Sequence, residues 1–357
     1  MSKPTIFDVA KVADVSIKTV SRVVNHEPNV RASTRERVEK AIAVLRYRPD
    51  QSARNLASHR SHLIALIYDD PAAYDIPSGG YILDMQQGAL KACRSNLSEL
   101  LIHPCDFRKK NIALKLKSFI EDTRLAGIVL AAPLSNMPKI VRAIQATGTP
   151  FVKLSPGKEN GKQLSVSTDD REACAEMTRY LAGLGHTRIA YITGDPHHAA
   201  VANRFLGYQD GLRESGLEFS ERLIAAGNNS FESGASCAEK LLALKPPPTA
   251  IFAANDDMAA GVIRVANSLG IEVPAQLSVA GFDDIPLARQ VDPALTTIRQ
   301  PLVRMTEKAT SLLANRNGNG NGNGNGNGNG NGNGDDAGPF IIPAKIKIRA
   351  STGPAPE

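Results

Sequence analysis

The stretch Thr5-Ile-Phe-Asp-Val-Ala-Lys-Val-Ala-Asp-Val-Ser-Ile-Lys-Thr-Val-Ser-Arg-Val-Val-Asn25 constrains the chain more than any other segment, because its apolar spacing fits two short helices joined by a tight turn. Val9, Ala10, Val12 and Ala13 are spaced as the buried face of the first helix, and Val20, Val23 and Val24 as that of the second. Thr5 with Asp8 three residues on has the capping-box spacing, and Ser16 stands where it can cap the second helix. Such a pair is a helix-turn-helix. On its second helix Ile17, Lys18, Ser21, Arg22 and Asn25 fall away from the valine face, where they can enter a major groove.

The charge distribution points the same way. Residues 1–62 carry 12 Lys and Arg against 6 Asp and Glu, and the remainder carries 30 against 30, so the whole formal excess of +6 sits in the head. Phosphate attraction accounts for such a local bias and makes affinity fall with salt. A merely solvated basic surface would show the charge without the two capped helices.

At 357 residues, 42% of them apolar, the chain can bury two sizeable cores besides a small head. Leu63-Ile-Ala-Leu-Ile67, Gly127-Ile-Val-Leu-Ala131, Phe151-Val152, Arg188-Ile-Ala-Tyr-Ile192, Ala250-Ile-Phe-Ala253 and Leu277-Ser-Val-Ala280 alternate with helical stretches, the pattern of parallel α/β sheets. No apolar run is long enough to span a bilayer and the N-terminus is the head itself, so the expectation is a cytoplasmic protein with no membrane partner. Cys93, Cys105, Cys174 and Cys237 are scattered without metal-type spacing and read as small core residues of a reducing compartment.

Asp8-Val-Ala, Val15 to Asn25, Ser33-Thr-Arg-Glu-Arg-Val and Tyr47-Arg-Pro-Asp together resemble the head of the LacI/GalR family of bacterial transcription regulators. The resemblance continues through Leu184-Gly-His-Thr-Arg-Ile-Ala190, Arg204-Phe-Leu-Gly-Tyr208, Ala254-Asn-Asp-Asp-Met-Ala-Ala-Gly261, Val279-Ala-Gly-Phe-Asp-Asp284 and Pro293-Ala-Leu-Thr-Thr-Ile298. It implies an all-α helix-turn-helix head on an α/β, two-lobed core like a periplasmic binding protein, with parallel sheets flanked by helices. The boundaries it implies are a head over 1–47, a hinge helix and linker over 48–60, and a core over 61–350. Within the core, one lobe takes about 61–163 and 296–315, and the other about 164–295 and 338–350.

The same resemblance implies the site residues. DNA contacts fall to Thr5, Ile17, Lys18, Thr19, Ser21, Arg22, Asn25, Asn29, Thr34 and Tyr47 in the head and to Ala53, Leu56 and Ala57 in the hinge helix, where Leu56 stands at the position of a minor-groove wedge. Effector contacts fall to Arg204 and Asp283, with Tyr81 and Asn255 as further pocket positions. Arg204 could instead be an interlobe salt bridge, and Asn255 a helix cap. Asn229 stands where relatives place an aromatic ring, which leaves Phe231 or Tyr81 to stack on a sugar, and Lys153 at a strand end would favour an anionic ligand.

Other constellations carry less. His197-His198 has the loop mark of Pro196 and no ligand spacing, and the acid pairs Asp169-Asp170, Asp256-Asp257 and Asp283-Asp284 have no nucleophile or base motif beside them. Neither an enzyme nor a cofactor or metal is expected. Nine Asn-Gly pairs from Asn317 to Gly334 read as a disordered insertion with ends ~21–25 Å apart. The resemblance implies that tetramers are built on a C-terminal apolar heptad helix; the tail Phe340-Ile-Ile-Pro-Ala-Lys-Ile-Lys-Ile-Arg349 has Pro343 and alternates like a strand instead, so a homodimer is expected. The expected protein is a DNA-binding regulator, a repressor on a palindromic double-stranded operator, controlled by a small molecule of carbohydrate type. A sugar-binding protein without a DNA role is the alternative, and the head speaks against it.

Overall fold

The computed structural model describes residues 4–24, 29–47, 62–69, 79–157, 163–318 (backbone only for 316–318) and 339–357. The hinge positions Ala53, Leu56 and Ala57, with Asn25 and the Asn-Gly tract from residue 319 on, lie outside them. Contacts divide the chain into two compact units, Met1–Ser61 and His62–Glu357.

The first unit holds α1 (Ile6–Ala13), α2 (Ile17–Val24) and α3 (Ala32–Leu45) around Val9, Ala10, Ala13, Val20, Val23, Val38 and Ala41. The two-helix motif thus closes its core with a third helix. Val12 is not part of that core: an eight-residue helix offers a narrow buried face, and Val12 falls beyond its edge at 55% exposure. Thr5 Oγ1 accepts from Asp8 N at 3.4 Å while Asp8 Oδ2 accepts from Thr5 N at 2.8 Å, a reciprocal capping box. Ser16 Oγ accepts from Thr19 N at 3.2 Å and opens α2.

Between these helices Asp14 has φ 49° and ψ 55°, the left-handed region that costs a side chain energy but that Asp enters with modest strain. Asp14→Gly should therefore keep the head folded and raise its stability by a few tenths of a kcal/mol, whereas Asp14→Val should lower it by about 1–2 kcal/mol. Circular-dichroism melts of the two variants test this; coincident melts would show that the backbone here imposes no such requirement.

The second unit is a pair of six-stranded sheets. Its chain order runs β1 (Leu63–Asp69), α4 (Gly79–Ser95), β2 (Glu99–Cys105), α5 (Ile112–Thr123), β3 (Gly127–Ala131), α6 (Pro138–Gln145), β4 (Phe151–Leu154) and β5 (Ser165–Ser167), then α7 (Asp170–Gly183), β6 (Ile189–Thr193), α8 (Ala200–Glu214), β7 (Ile224–Ala226), α9 (Phe231–Leu242), β8 (Ala250–Ala253), α10 (Asp256–Ser268), β9 (Ser278–Asp283) and β10 (Thr296–Arg299), and finally α11 (Leu302–Gly318), β11 (Pro339–Ile341) and β12 (Lys345–Lys347). The first sheet is ordered β11-β5-β4-β3-β1-β2 and is wholly parallel; the second is ordered β12-β10-β9-β8-β6-β7, with only β12 antiparallel. Helices cover both faces, so the central β3 and β8 are buried along their length and need no polar alternation.

The chain crosses between lobes three times, each a few residues later than its sequence motifs imply. Ser165–Ser167 still pairs in the first sheet, so the first crossing follows Ser167 and not residue 163. Thr296–Arg299 pairs in the second sheet, which moves the second crossing past Arg299. The tail is not one strand: Pro343 breaks it into β11 on the first sheet and β12 on the second, with the third crossing between them. The helix Leu302–Gly318 also runs on over the first Asn-Gly pair.

In the second lobe α7 and α8 approach closely through glycines on α8. A Cβ at Gly207 would stand 2.0 Å from the Arg171 carbonyl oxygen, and one at Gly211 2.5 Å from Thr178 Cβ. All four cysteines are buried and free, and among the described residues no helix is long and apolar enough to cross a membrane.

Candidate functional site

On the head, the burial of Val20 and Val23 turns the rest of α2 outward. Ile17 and Lys18 are exposed, Thr19, Ser21 and Arg22 half-buried on the flanks. Asn29 is exposed, Thr34 lies in the first turn of α3, and Tyr47 packs against the head core from just beyond that helix. Thr5 is engaged in its capping box at the start of α1. Short polar and cationic side chains thus share the outward face of one helix, the arrangement that reads base edges.

Within the second unit a pocket opens between the lobes, enclosing about 960 Å3 with its mouth included. Tyr81, Arg204, Asn255 and Asp283 all line it. Arg204, on the first turns of α8, is 7% exposed. Its Nε donates to Asp170 Oδ1 at 2.8 Å, its Nη1 to the Ala254 carbonyl at 2.7 Å, and its guanidinium lies 3.5 Å from the centre of the Phe282 ring. Asp283 Oδ1 stands 3.6 Å from Nη1. Arg204 is therefore a salt-bridged group of the second lobe and a pocket wall at once.

Asp283 closes β9 with φ 116°, a strained conformation that aims its carboxylate at the pocket. Burial pushes its carboxyl up to about 7, with Arg204 pulling it back. Asn255 is the N-cap of α10, its Oδ1 accepting from Met258 N at 3.0 Å, while its Nδ2 donates to the Asn229 carbonyl at 2.9 Å. Tyr81 reaches in from α4, and burial raises its phenol.

Two residues invisible to motif reading, Ser155 and Gln300, join Asp283 in lining the pocket. Ser155 Oγ, Asp283 Oδ1 and both ends of the Gln300 amide are buried without hydrogen-bond partners among the described residues, and all three side chains line the cavity. Ser155 and Gln300 follow directly on β4 and β10, where strand ends meet the cleft as in other α/β folds. His198, from the loop after β6, is held neutral: burial drives its pKa down to about 4, despite Asp195. His197 instead bonds Asp195 Oδ1 at 2.7 Å, and among the described residues no cluster could hold a metal. Of the aromatic candidates, Tyr81 lines the pocket but Phe231 does not; it carries the Arg264 guanidinium 5.2 Å from its ring centre. Lys153 also faces elsewhere, into a separate cavity. Asp256 and Asp284 are structural: Asp256 Oδ2 accepts from Ile285 N at 2.9 Å, and Asp284 holds Arg299 and Arg349.

Comparison with known proteins covers both units. Residues 5–50 match the model described as bacterial regulatory proteins, lacI family, and residues 178–352 a periplasmic binding protein-like domain. The HTH-type transcriptional regulator DegA of Bacillus subtilis (strain 168) is 34% identical over 85% of this chain and 88% of its own. The HTH-type transcriptional regulator GalR of Escherichia coli (strain K12) is 33% identical over 86% and 88%. Among solved structures, a complex of the transcriptional regulator CelR with cellobiose superposes with a TM-score of 0.72 at 25% identity, over 98% of this chain and 99% of that one.

Proposed function

Since the chain belongs to the lacI family of bacterial regulatory proteins, whose members matched along its length are DNA-binding transcriptional regulators, we propose that it is a repressor that binds a palindromic operator as a homodimer and answers to a neutral polyhydroxylated effector. The observation that carries the effector class is the set of unpartnered polar atoms on Ser155, Asp283 and Gln300 around a single buried arginine. A buried polar atom without a partner is costly, and a hydroxyl-rich ligand can donate to Asp283 while satisfying both ends of the Gln300 amide. Arg204 already spends its charge on Asp170 and Asp283, so the pocket offers hydrogen bonds rather than net positive charge. The cellobiose complex of CelR supports the same class.

Two copies reading two half-sites require a symmetric interface. On the first lobe Leu83 and Leu90, exposed at 60% and 40%, lie one heptad apart on α4 beside the edge strand β2, whose Ile102 is 42% exposed. That apolar strip is our candidate for the dimer face.

Base reading is testable on α2. Arg22→Ala should lose one base-edge contact, costing about 1–3 kcal/mol of operator binding and relaxing sequence preference at one position per half-site. Arg35→Ala, off that helix, should weaken all sequences alike. Operator selection from a random library reads both, and an Arg22→Ala variant that selects the parent sequence with the parent affinity would overturn the role of α2.

A further inference from the structure

A second cavity, distinct from the Arg204 pocket, lies between α6 and β4 of the first lobe and the start of α8 in the second, enclosing about 1650 Å3 with its mouth. Its lining differs in charge from that of the effector pocket. It contains Arg142 and Lys153 but, among the described residues, no carboxylate to pair with either cation. Lys153 is half-buried, so its ammonium has lost water without gaining a counter-charge among the described residues, and burial lowers its pKa. The Asn136 Nδ2 donor beside it is buried and unpartnered. The second lobe contributes Phe205 and Leu206, the latter 40% exposed. Two cations and a buried amide donor, with no carboxylate among the described lining residues and facing an apolar wall, are complementary to an anionic group on a partly apolar body.

We propose that this cavity is a second ligand site, for a small organic anion bearing a phosphate or carboxylate, and that its occupancy favours the closed arrangement of the lobes. The seam it straddles is already clasped at Gly157, whose N–H donates to Asn136 Oδ1 at 3.1 Å from one lobe and whose carbonyl accepts from Asn203 Nδ2 at 2.9 Å from the other. A ligand touching both walls binds only when the seam is shut, and so shifts the population toward it. Helix α8 links the two sites mechanically: Asn203, Phe205 and Leu206 face the cavity, and Arg204 between them turns into the effector pocket.

Titration calorimetry of the full chain tests this with four probes: phenyl phosphate, benzoate, inorganic phosphate and benzyl alcohol. One of the two aromatic anions should bind in the millimolar range or better, the tighter one naming the anionic group, while benzyl alcohol should give no heat and inorganic phosphate should bind more weakly. Lys153→Gln and Arg142→Gln should each weaken the aromatic anion roughly tenfold without changing the melting temperature of the free protein. Asp283→Asn, which alters the charge of the Arg204 pocket, should leave that affinity where it was. Absence of binding by both aromatic anions would overturn the proposal. So would inorganic phosphate matching them, or binding that responds to Asp283→Asn and not to Lys153→Gln and Arg142→Gln.

Discussion

Arg204→Met should melt on the order of 10 °C below the parent and lose all response to effector, because it strands two buried carboxylates at once. Asp170 is 5% exposed and Asp283 has no hydrogen bond of its own on Oδ1, so neither finds a substitute donor. Removing one partner of a buried ion pair costs about 3–5 kcal/mol, a large share of a typical domain's stability. The loss has a pH signature. Both carboxyls already stand above their ordinary value, chiefly through burial, and Arg204 is the group that pulls each back. Without it they rise further, so the folded state holds protons that the unfolded state releases. Stability of the variant should then fall as pH rises from the unfolded carboxylate range through neutrality, and the deficit should be smaller at pH 5 than at pH 8. Adding Asp170→Asn to Arg204→Met should recover part of the melting temperature but none of the effector response. Calorimetric melts across pH measure the first, operator release under effector the second. A deficit that grows as pH falls would contradict the assignment.

Gly207→Val should be as damaging, for a reason of space rather than charge. Its Cβ would stand 2.0 Å from a backbone oxygen of α7 and 2.9 Å from Cys174 Cβ, with Gly211 pressed against the same helix one turn on. Backbone cannot rotate aside as a side chain can, so the helices must separate, at a cost of about 3 kcal/mol or more. Because α7 also carries Asp170, its displacement should remove the carboxylate that orients Arg204, coupling instability to loss of effector response. Gly183→Ala, on the same helix pair but with nothing within 4 Å of its Cβ, should instead be neutral or stabilise by up to about 1 kcal/mol. Similar melting of the two variants would show that the close approach does not matter.

Both effects hinge on residues that motifs made visible, since Arg204 and Gly207 belong to one short string and Asp283 to another. The head was legible for a similar reason: a capping box and valines at helical spacing survive in any context. What escaped was the lining contributed by chain segments without period. Ser155 and Gln300 are single residues after short strands, and their role exists only because two distant strand ends meet at the cleft. The lobe crossings slipped for the same cause, β5 and β10 being three and four residues long and too brief to show alternation. Lys153 sits on a half-buried strand whose pattern did not say which cavity it faced. Val12 shows the opposite error, an apolar residue whose period fitted a core too small to receive it.

The segment 319–338 leaves from α11 and returns at β11, and both belong to the first lobe, α11 packing on β3, β4 and β5 and β11 pairing with β5. Its two ends are therefore anchored to the same lobe, and a rotation of that lobe against the other would not change the span between them. Length added or removed there enters the free energy only through loop closure, which grows as the logarithm of length. This makes the position a mechanically silent port: a fluorescent domain or an affinity tag grafted into it would ride on the first lobe without reporting, or resisting, any change in its arrangement against the second.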